Sequence, residues 1–501
     1  MHSPIGSRSP ASLTATAFAL LASALALPAQ DQRDQRPTAL VNARILTMTE
    51  AGTIPLGTVL IREGKIEAVG ADVRPPLGAR VIDVKGGTVM PGFVHAWSGA
   101  GLAGTPRPAP GPVPDGGRRG GRGRGARPEA GPAQGGGNRA ASRVAEGLYE
   151  RQDVFRDLLE TGITSLSVRP LAPGFPGLAA RLEPDGTTHS SLVADAEGYL
   201  VIAPATNTPG KKLVKDEFDK AKQALEARKA PRAPAGDAKP SEATPPAAQA
   251  TPAPKPDAPK PEEPKPQEPP KPEPPKPEPP RPEPPKPEAP KEAPAAEAKP
   301  AGQAAQPRPE AKKDPNVEVL ADLVDGKRKA FVRLGSAMEL QHWLEAVGDL
   351  RFPMVLVADS QDARRGRLDE CIAELKKLDA AVLMSPRLAE LPFSRSLVNV
   401  PKRLHDAGIT LGFVLPDDAA NARNLRSSLM ELVRCGLPAD VALRAVTAVP
   451  AKMLGIDATT GSIAAGRRAD LLVFDADPLD PVATLRQVFL RGHEVVEGPT
   501  R

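Results

Sequence analysis

The sequence predicts an α/β protein with a largely parallel sheet, and three observations lead to this fold class. Short apolar strands alternate with amphipathic helices through the middle of the chain, and short links join them. Runs typical of strands and tight turns occur at both ends of the chain. Once two low-complexity insertions are set aside, roughly 240 residues remain between these ends, close to the ~250 typical of a (β/α)8 barrel.

The two ends of the chain, 37–88 and 456–501, consist of short strand-like runs separated by turns. These runs are rich in β-branched and other apolar residues. In the first region Glu63 and Gly64 stand between two such runs, and this pair predicts a tight hairpin turn. We therefore expect both ends of the chain to contribute strands to β-structure.

Strands and helices alternate between these two regions. The spacing of apolar residues predicts a helix over 154–160 that ends at Gly162, followed by a strand over 163–168. Further strands are expected at 354–357, 381–384 and 409–414, with a helix over 367–378. This order of elements favours parallel strands connected by helices.

The strand that opens the α/β region carries the most informative motif of the chain. It reads Val89-Met90-Pro91-Gly92-Phe93-Val94-His95-Ala96-Trp97-Ser98-Gly99. This run resembles the signature V-x-P-G-(F/L)-(I/V)-(D/N)-x-H-x-H of the metal-dependent amidohydrolase superfamily, and the stretch that contains Gly466-Arg467-Arg468-Ala469-Asp470 resembles its C-terminal part. The resemblance is nearest to exported imidazolonepropionase-like amidohydrolases of bacteria. It implies a TIM-like (β/α)8 barrel over 89–455, flanked by a small β-sandwich built from 37–88 and 456–501.

The resemblance also implies a metal site, because the family holds zinc or another divalent metal with histidines at its strand ends. On the family pattern the two histidines of the first strand fall on Trp97 and Gly99, and His95 takes the place of a structural Asp or Asn. Later histidine positions fall on Arg333, Gly335 and Ala358. Indole, guanidinium, glycine and alanine are not ligands of such metals, so we expect no bound metal and no metal-ligating residue.

Asp417 and His95 remain as candidates for catalysis, although a hydrogen-bonded core role is the favoured interpretation for His95. The family aspartate at the end of the eighth strand falls on Pro416 by simple counting, and Asp417 and Asp418 follow it. The pocket at the strand ends is expected to contain Trp97, Gly99, Arg333, Ala358 and Asp417.

Arg333 has two interpretations, because a guanidinium stays protonated and a buried one is unfavourable unless it is paired. It contacts a small anionic ligand at the mouth of the barrel, or it forms an internal ion pair with Asp359, Asp417 or Asp418. Both interpretations stay open at the level of the sequence.

Two segments lack the composition of a folded core. Residues 104–143 are rich in glycine, proline and arginine, and residues 230–315 repeat a unit of proline and alternating charge. We expect both to be disordered insertions, although the second is alternatively a linker between two domains. The first lacks the aromatic side chains of a nucleic-acid-binding segment. With a net charge of only +5, we expect no nucleic-acid partner.

Residues 1–29 have the features of a secretory signal peptide. Arg8 precedes an apolar run over 13–27 that is short for a membrane span, and small residues follow it. We therefore expect export to the periplasm or the extracellular space, without a stable membrane span. The two cysteines, Cys371 and Cys435, either pair there or remain as buried thiols.

These observations predict a cell-envelope protein of amidohydrolase fold that is metal-free and inactive and binds a small anionic ligand or an envelope protein. The alternative, implied by the resemblance, is a hydrolase that acts on a C–N bond of a cyclic or linear amide. A third interpretation is a structural protein spaced by the proline-rich segment. The substrate and the oligomeric state do not follow from the sequence.

Overall fold

The structure, a computed structural model, describes residues 36–102, 137–205, 207–229, 313–359, 367–391 and 393–497. The predicted signal peptide and most of the two predicted insertions lie outside these residues. The strands are β1 (Thr38–Leu46), β2 (Thr53–Arg62), β3 (Lys65–Gly70), β4 (Arg80–Asp83), β5 (Thr88–Pro91), β6 (Phe93–Ser98), β7 (Ile163–Val168), β8 (Gly174–Leu178), β9 (Ala180–Leu182), β10 (Val193–Asp195), β11 (Leu200–Ala203), β12 (Ala330–Arg333), β13 (Met354–Ala358), β14 (Ala381–Met384), β15 (Ala389–Glu390), β16 (Leu397–Val398), β17 (Leu411–Phe413), β18 (Leu471–Phe474), β19 (Leu485–Leu490) and β20 (His493–Glu497). The helices are α1 (Asp153–Glu160), α2 (His189–Leu192), α3 (Thr208–Lys229), α4 (Pro315–Val324), α5 (Ala337–Val347), α6 (Ile372–Leu378), α7 (Val400–Asp406), α8 (Ala419–Ala422), α9 (Leu425–Arg434), α10 (Ala439–Arg444) and α11 (Ala448–Leu454), with short 3-10 helices at Val144–Gly147 and Leu368–Cys371.

The strands from both ends of the chain form one eight-stranded sheet. Its order is β20-β19-β18-β5-β1-β2-β3, and β4 pairs with β1 beside this path. The two ends of the chain join where β18 runs antiparallel to β5, with Leu471 opposite Pro91 and Phe474 opposite Thr88. The regions predicted as two halves of a sandwich therefore share a single hydrogen-bonded sheet, and their side chains form one apolar cluster.

Two glycine turns couple the ends of the chain within this sheet. Glu63 and Gly64 (φ 50° and 77°) connect β2 to β3, as the sequence predicts, and Arg491 and Gly492 (φ 49° and 75°) connect β19 to β20. Positive φ at both central residues is characteristic of the type I′ hairpin turn. The turns contact each other: a Cβ on Gly64 would lie 2.9 Å from the carbonyl oxygen of Arg491, and one on Gly492 would lie 2.7 Å from Ile61. Only glycine fits both positions without displacing the partner turn.

The middle of the chain is a mixed α/β region in which most strand pairs are parallel. Strands β11, β12, β13, β14 and β17 are parallel neighbours in a six-stranded sheet of order β17-β14-β13-β12-β11-β8. Strand β6 pairs in parallel with β7 in a four-stranded sheet of order β10-β9-β7-β6. The predicted α/β class is thus confirmed. Strands β8, β9 and β10 pair antiparallel, which the sequence did not predict, and the described strands do not close into one ring.

Several predicted elements have the expected bounds, and one strand near the site does not. Strands β7 and β14 match their predicted residues, and α1 ends at Glu160, just before Gly162 (φ 95°). The predicted helix over 367–378 is divided into a 3-10 turn and α6. Strand β17 is shorter than the predicted 409–414 and ends at Phe413, before Pro416, whose missing N–H cannot extend a sheet.

The last residues of the segment 104–143 are packed, which corrects the expectation of a disordered loop over its whole length. Asn138 forms a β-bridge with Phe175, and Ala140 is fully buried. Residues 104–136 lie outside the described residues. The last residues of the segment 230–315 are likewise part of the fold, because Asp314 is the N-cap of α4, which begins at Pro315.

The two cysteines are free thiols in this structure. Cys371 is buried and Cys435 is exposed, so the expectation of two buried thiols holds for Cys371 alone. Within the described ranges, no helix has both the length and the apolar content needed to cross a membrane.

Candidate functional site

Polar side chains stand at or beyond the carboxyl ends of five of the parallel strands. Because the carboxyl ends of parallel strands meet at one edge, such residues are brought together in α/β folds. The structure gathers them into two clusters, each organised around one aspartate. The residues in question are Ser98 at the end of β6, Arg169 after β7, Arg333 at the end of β12, Asp359 after β13 and Asp417 beyond β17.

The first cluster surrounds the carboxylate of Asp417. Its Oδ1 atom lies 3.1 Å from Nε2 of His95 and accepts hydrogen bonds from Oγ of Ser98 (2.7 Å) and from the backbone N–H of Gly99 (2.9 Å). His95 is fully buried on β6, and its Nδ1 has no hydrogen-bond partner in the described structure. The two residues predicted as catalytic candidates are therefore in direct contact, although they come from opposite ends of the α/β region.

The environment of Asp417 favours its ionised form. Burial raises the pKa of this carboxyl, but the hydrogen bond and charge of His95, together with the donors Ser98 and Gly99, lower the pKa to about 2. The side chain is still 48% exposed. Its second oxygen, Oδ2, lies over Gly99, where a Cβ would come within 3.2 Å. Asp417 is thus a charged acceptor with one oxygen held by three donors.

The second cluster surrounds the carboxylate of Asp359. Oδ1 accepts a hydrogen bond from Nε of Arg333 (2.8 Å), while Oδ2 accepts one from the indole N–H of Trp97 (2.9 Å) and one from Arg169 (3.3 Å). The side chains of Asp359 and Arg169 are only 10% and 15% exposed. Both oxygens of this carboxylate are therefore committed to donors of the protein, two of which carry a permanent positive charge.

Trp97 extends this cluster into the apolar interior. Its ring lies parallel to those of Tyr199 and Phe331, with centroids 6.2 and 6.1 Å away, and the guanidinium of Arg169 lies 4.4 Å from its centre. The Tyr199 hydroxyl donates to the carbonyl oxygen of Ala96 (2.7 Å). An aromatic stack capped by a cation thus occupies the interior at the position where the family pattern has an imidazole.

A cavity of about 500 Å³ opens beside the second cluster. Among the five predicted pocket residues, Trp97 and Arg333 line it, together with Arg169. Gly99 and Asp417 meet in the first cluster instead, and Ala358 is buried in the strand before Asp359. Proline and aliphatic side chains form most of the remaining walls: Pro170, Leu171, Ala172, Pro173, Val201, Ala203, Pro204 and Ala205. Two polar residues, Asn207 and Glu339, complete the lining.

Three contributions to the site were missed in the sequence. Arg169 follows β7 immediately, and a search for charged residues directly after each predicted strand would have found it. Ser98 lies between the motif positions Trp97 and Gly99, and the family pattern assigns no role to its position. Tyr199 gave no signal, because nothing in the sequence shows that its ring reaches Trp97 across 102 residues.

Of the two aspartates that follow Pro416, Asp417 is the one whose carboxylate contacts β6. Strand β17 ends at Phe413, so the residues that follow no longer keep the register of the sheet. The chain then brings the Asp417 carboxylate to His95 on β6.

The donor chemistry of these clusters does not fit a catalytic metal. Such a site needs about three nitrogen, oxygen or sulfur ligands from the protein. Here Trp97, Arg169 and Arg333 present N–H groups rather than lone pairs, and the guanidinium charges would repel a cation. Among the described residues no three His, Cys, Asp or Glu side chains lie close enough together to hold a metal ion.

Comparison with known proteins gives a match in the second half of the chain. Residues 339–495 match the model of the amidohydrolase family. A stretch of 98 residues is 36% identical to amidohydrolase tasK from Hapsidospora irregularis, and it covers 20% of this chain and 10% of that protein. A stretch of 85 residues is 42% identical to adenine deaminase 2 from Agrobacterium fabrum, with 17% and 14% of the two chains covered. These matches thus span only a small part of the curated relatives.

The fold is similar to that of a solved structure over most of its length. The crystal structure of an amidohydrolase from Thermotoga maritima aligns with 92% of this chain and 100% of its own, with a TM-score of 0.61 and 16% sequence identity. At this identity the similarity concerns the fold alone.

Proposed function

We propose that this chain is a metal-free member of the amidohydrolase superfamily that binds a small anionic ligand instead of hydrolysing an amide. The observation that carries the proposal is the cluster around Asp359. Trp97 and Arg333 stand at positions where the family pattern has metal-binding histidines, and both donate to this one carboxylate. The positive charge that a metal would supply is here supplied by arginine.

The unpartnered nitrogens of Arg333 favour an anion as ligand. Arg169 and Arg333 bring two positive charges to the second cluster, and Asp359 neutralises one of them. Glu339 also lines the cavity, where its carboxylate accepts a hydrogen bond from the backbone N–H of Gly335. Arg333 uses only its Nε for this contact, its side chain is 51% exposed, and its terminal nitrogens have no partner among the described residues. A guanidinium with a free pair of N–H groups is well suited to bidentate recognition of a carboxylate.

The volume and the lining of the cavity restrict the class of ligand further. Its volume of about 500 Å³ lies within the ~300–1,000 Å³ typical of small-molecule sites. Apart from the arginines, its walls are largely proline and aliphatic side chains. We therefore propose a monocarboxylate with a compact apolar body, whose charged end contacts Arg333.

The proposal includes the finer architecture that the family implies, a closed barrel with a flanking sandwich. The N–H of Val94 in β6 donates to the carbonyl of Val446 (2.9 Å), and the N–H of Phe413 in β17 donates to that of Ala445 (2.7 Å). Ala445 and Val446, which are adjacent in the connection between α10 and α11, thus bond to β17 and β6, the last and the first of the parallel strands. These two hydrogen bonds support the proposal of a closed barrel. For residues 1–29 we retain the proposal of a signal peptide, and binding would then take place in the cell envelope.

A thermal-shift screen of the full-length chain tests ligand binding directly. The panel contains acetate, propionate, 3-methylbutyrate, benzoate and inorganic phosphate. We expect a monocarboxylate with an apolar body to raise the Tm of the wild type by about 1–3 °C at saturating concentration. In Arg333→Met this shift should disappear, because the guanidinium contact is lost.

Two further variants control this experiment. Arg434→Met removes an exposed arginine outside the cavity and should keep the full shift. Arg333→Lys keeps the charge but not the bidentate geometry, and it should retain part of the shift. If no anion stabilises the wild type and Arg333→Met only lowers its Tm, then Arg333 serves as an internal ion pair and the proposal is wrong.

Hydrolysis of a C–N bond is the second candidate function, and the position of Asp417 favours it. This aspartate has a pKa lowered to about 2, lies beyond the end of the last parallel strand and leaves Oδ2 outside its hydrogen bonds to Ser98 and Gly99. Turnover of cyclic or linear amides by the wild type, abolished in Asp417→Asn, would establish this function. Ligand protection without any turnover supports the binding protein.

A further inference from the structure

A second cavity lies apart from the strand-end clusters, between the turn that follows β1 and helix α10. Its volume is about 350 Å³, and it shares no lining residue with the cavity beside Asp359. Leu46, Met48 and Leu443 are among its apolar walls. The turn is well organised, because Oγ1 of Thr47 donates to the carbonyl of Gly52 (2.6 Å). The cavity is therefore a defined space between two fixed elements.

Four charged residues line this cavity, and two of them are already paired. Arg44 of β1 forms an ion pair with Asp477 at 2.5 Å. Asp440 and Arg444 lie on α10, four residues apart. In this spacing an acid that precedes a base normally forms a helix ion pair, since the two side chains share one face.

Asp440 and Arg444 do not form this ion pair within the described structure. Arg444 reaches across the cavity instead, and its Nη2 donates to the backbone carbonyl of Thr49 (2.9 Å). Asp440 has no hydrogen-bond or ion-pair partner among the described residues. One negative and one positive group therefore line the same cavity, separated from each other and beside an apolar wall.

We propose that this cavity binds a small zwitterion, an aliphatic amino acid, with its ammonium group on Asp440 and its carboxylate on Arg444. Such a ligand carries both charged groups on its α-carbon and so bridges Asp440 and Arg444, which do not pair with each other. Its aliphatic side chain would lie against Leu46, Met48 and Leu443. The proposal does not depend on the function of the first cavity.

The charge balance of the cavity distinguishes a zwitterion from other ligands. Two arginines and two aspartates give a net charge of zero. A simple anion would face Asp440 at close range, and a simple cation would face Arg444, so each meets a like charge. A hydrocarbon would desolvate both groups without pairing either.

Isothermal titration calorimetry on the full-length chain tests this site with L-leucine, L-valine and L-isoleucine as probes. Two analogues of leucine accompany them: 4-methylpentanoate, which lacks the ammonium group, and 3-methylbutylamine, which lacks the carboxylate. We expect at least one of the amino acids to bind, and both analogues of leucine to bind at least about ten-fold more weakly than leucine. Asp440→Asn and Arg444→Gln should each weaken amino-acid binding by about ten-fold or more.

Three variants make the result specific to this cavity. Asp349→Asn, the same substitution at an exposed aspartate elsewhere, should leave the affinity unchanged. Arg333→Met should also leave it unchanged, which separates this site from the first cavity. Asp440→Glu keeps the charge and should restore part of the affinity. The proposal is overturned if no amino acid binds up to about 10 mM, or if Asp440→Asn binds as well as the wild type.

Discussion

Asp417 and Asp359 stand at two strand ends of the same edge, yet their surroundings differ in kind. Asp417 accepts hydrogen bonds from a serine hydroxyl and a backbone amide and lies beside His95, and its side chain is half exposed. Asp359 is almost buried, and two guanidinium groups and an indole donate to it. One carboxylate keeps an oxygen available, and the other has none.

The difference shows that two carboxylates near one edge of the α/β region can be held by unlike donors. At Asp359 the donors are large, and they are themselves packed, since Trp97 lies against Tyr199 and Phe331. At Asp417 the donors are small and close to the backbone. We infer that Asp359 now has a mainly structural role, whereas Asp417 contributes little to stability. Matched substitutions in the two clusters test this contrast.

The largest effect is expected for Asp359→Asn. Removing the charge leaves Arg169, which is only 15% exposed, without its carboxylate, and uncompensated buried charges are strongly unfavourable. We expect the free energy of unfolding to fall by about 3 kcal/mol in urea denaturation. Asp417→Asn is the matched control in the other cluster. Equal losses of unfolding free energy in Asp359→Asn and Asp417→Asn would contradict the inference that Asp359 alone has a mainly structural role.

A smaller effect is expected for Trp97→Phe, which keeps an aromatic ring but removes the N–H that Asp359 accepts. We expect a loss of about 1.5–3 kcal/mol, because a hydrogen bond to a charged group is lost in addition to volume. Trp343→Phe is the matched control, since Nε1 of Trp343 is buried without a partner. Urea denaturation measures the free energy of unfolding of both variants. An equal loss in Trp343→Phe and Trp97→Phe would contradict a stabilising hydrogen bond from Trp97 to Asp359.

The smallest effect is expected for Asp417→Asn, below about 1 kcal/mol at neutral pH, because the half-exposed side chain is screened by solvent. The pKa of Asp417 is lowered to about 2, whereas an aspartate of an unfolded chain titrates near ~3.9. Its contribution is therefore complete above about pH 4 and is lost as the pH falls towards about 2. Urea denaturation of wild type and variant across this range should show their difference shrinking with falling pH. A difference that grows would contradict the lowered pKa.

The sequence predicted the fold class and the outer strands better than it predicted the site. The bounds of β7 and β14 were predicted correctly: β14 is a continuous apolar run, as is typical of a buried parallel strand, whereas β7 mixes apolar residues with serine and threonine. Motif positions led to Trp97 and Arg333. The hub of their cluster, Asp359, was only one of three partners considered for Arg333, since ion pairing depends on distances between strands. The contact of Asp417 with His95 did not follow from the strand pattern, because the chain leaves the sheet after Phe413.

Metal analysis of the full-length chain tests the central claim most directly. The protein would be purified without a histidine tag, dialysed against a mild chelator and examined by inductively coupled plasma mass spectrometry. We predict far less than one equivalent of zinc, manganese or iron per chain, because Arg169 and Arg333 place fixed positive charge beside Asp359 and N–H donors occupy the ligand positions. About one tightly held metal ion per chain would contradict the claim.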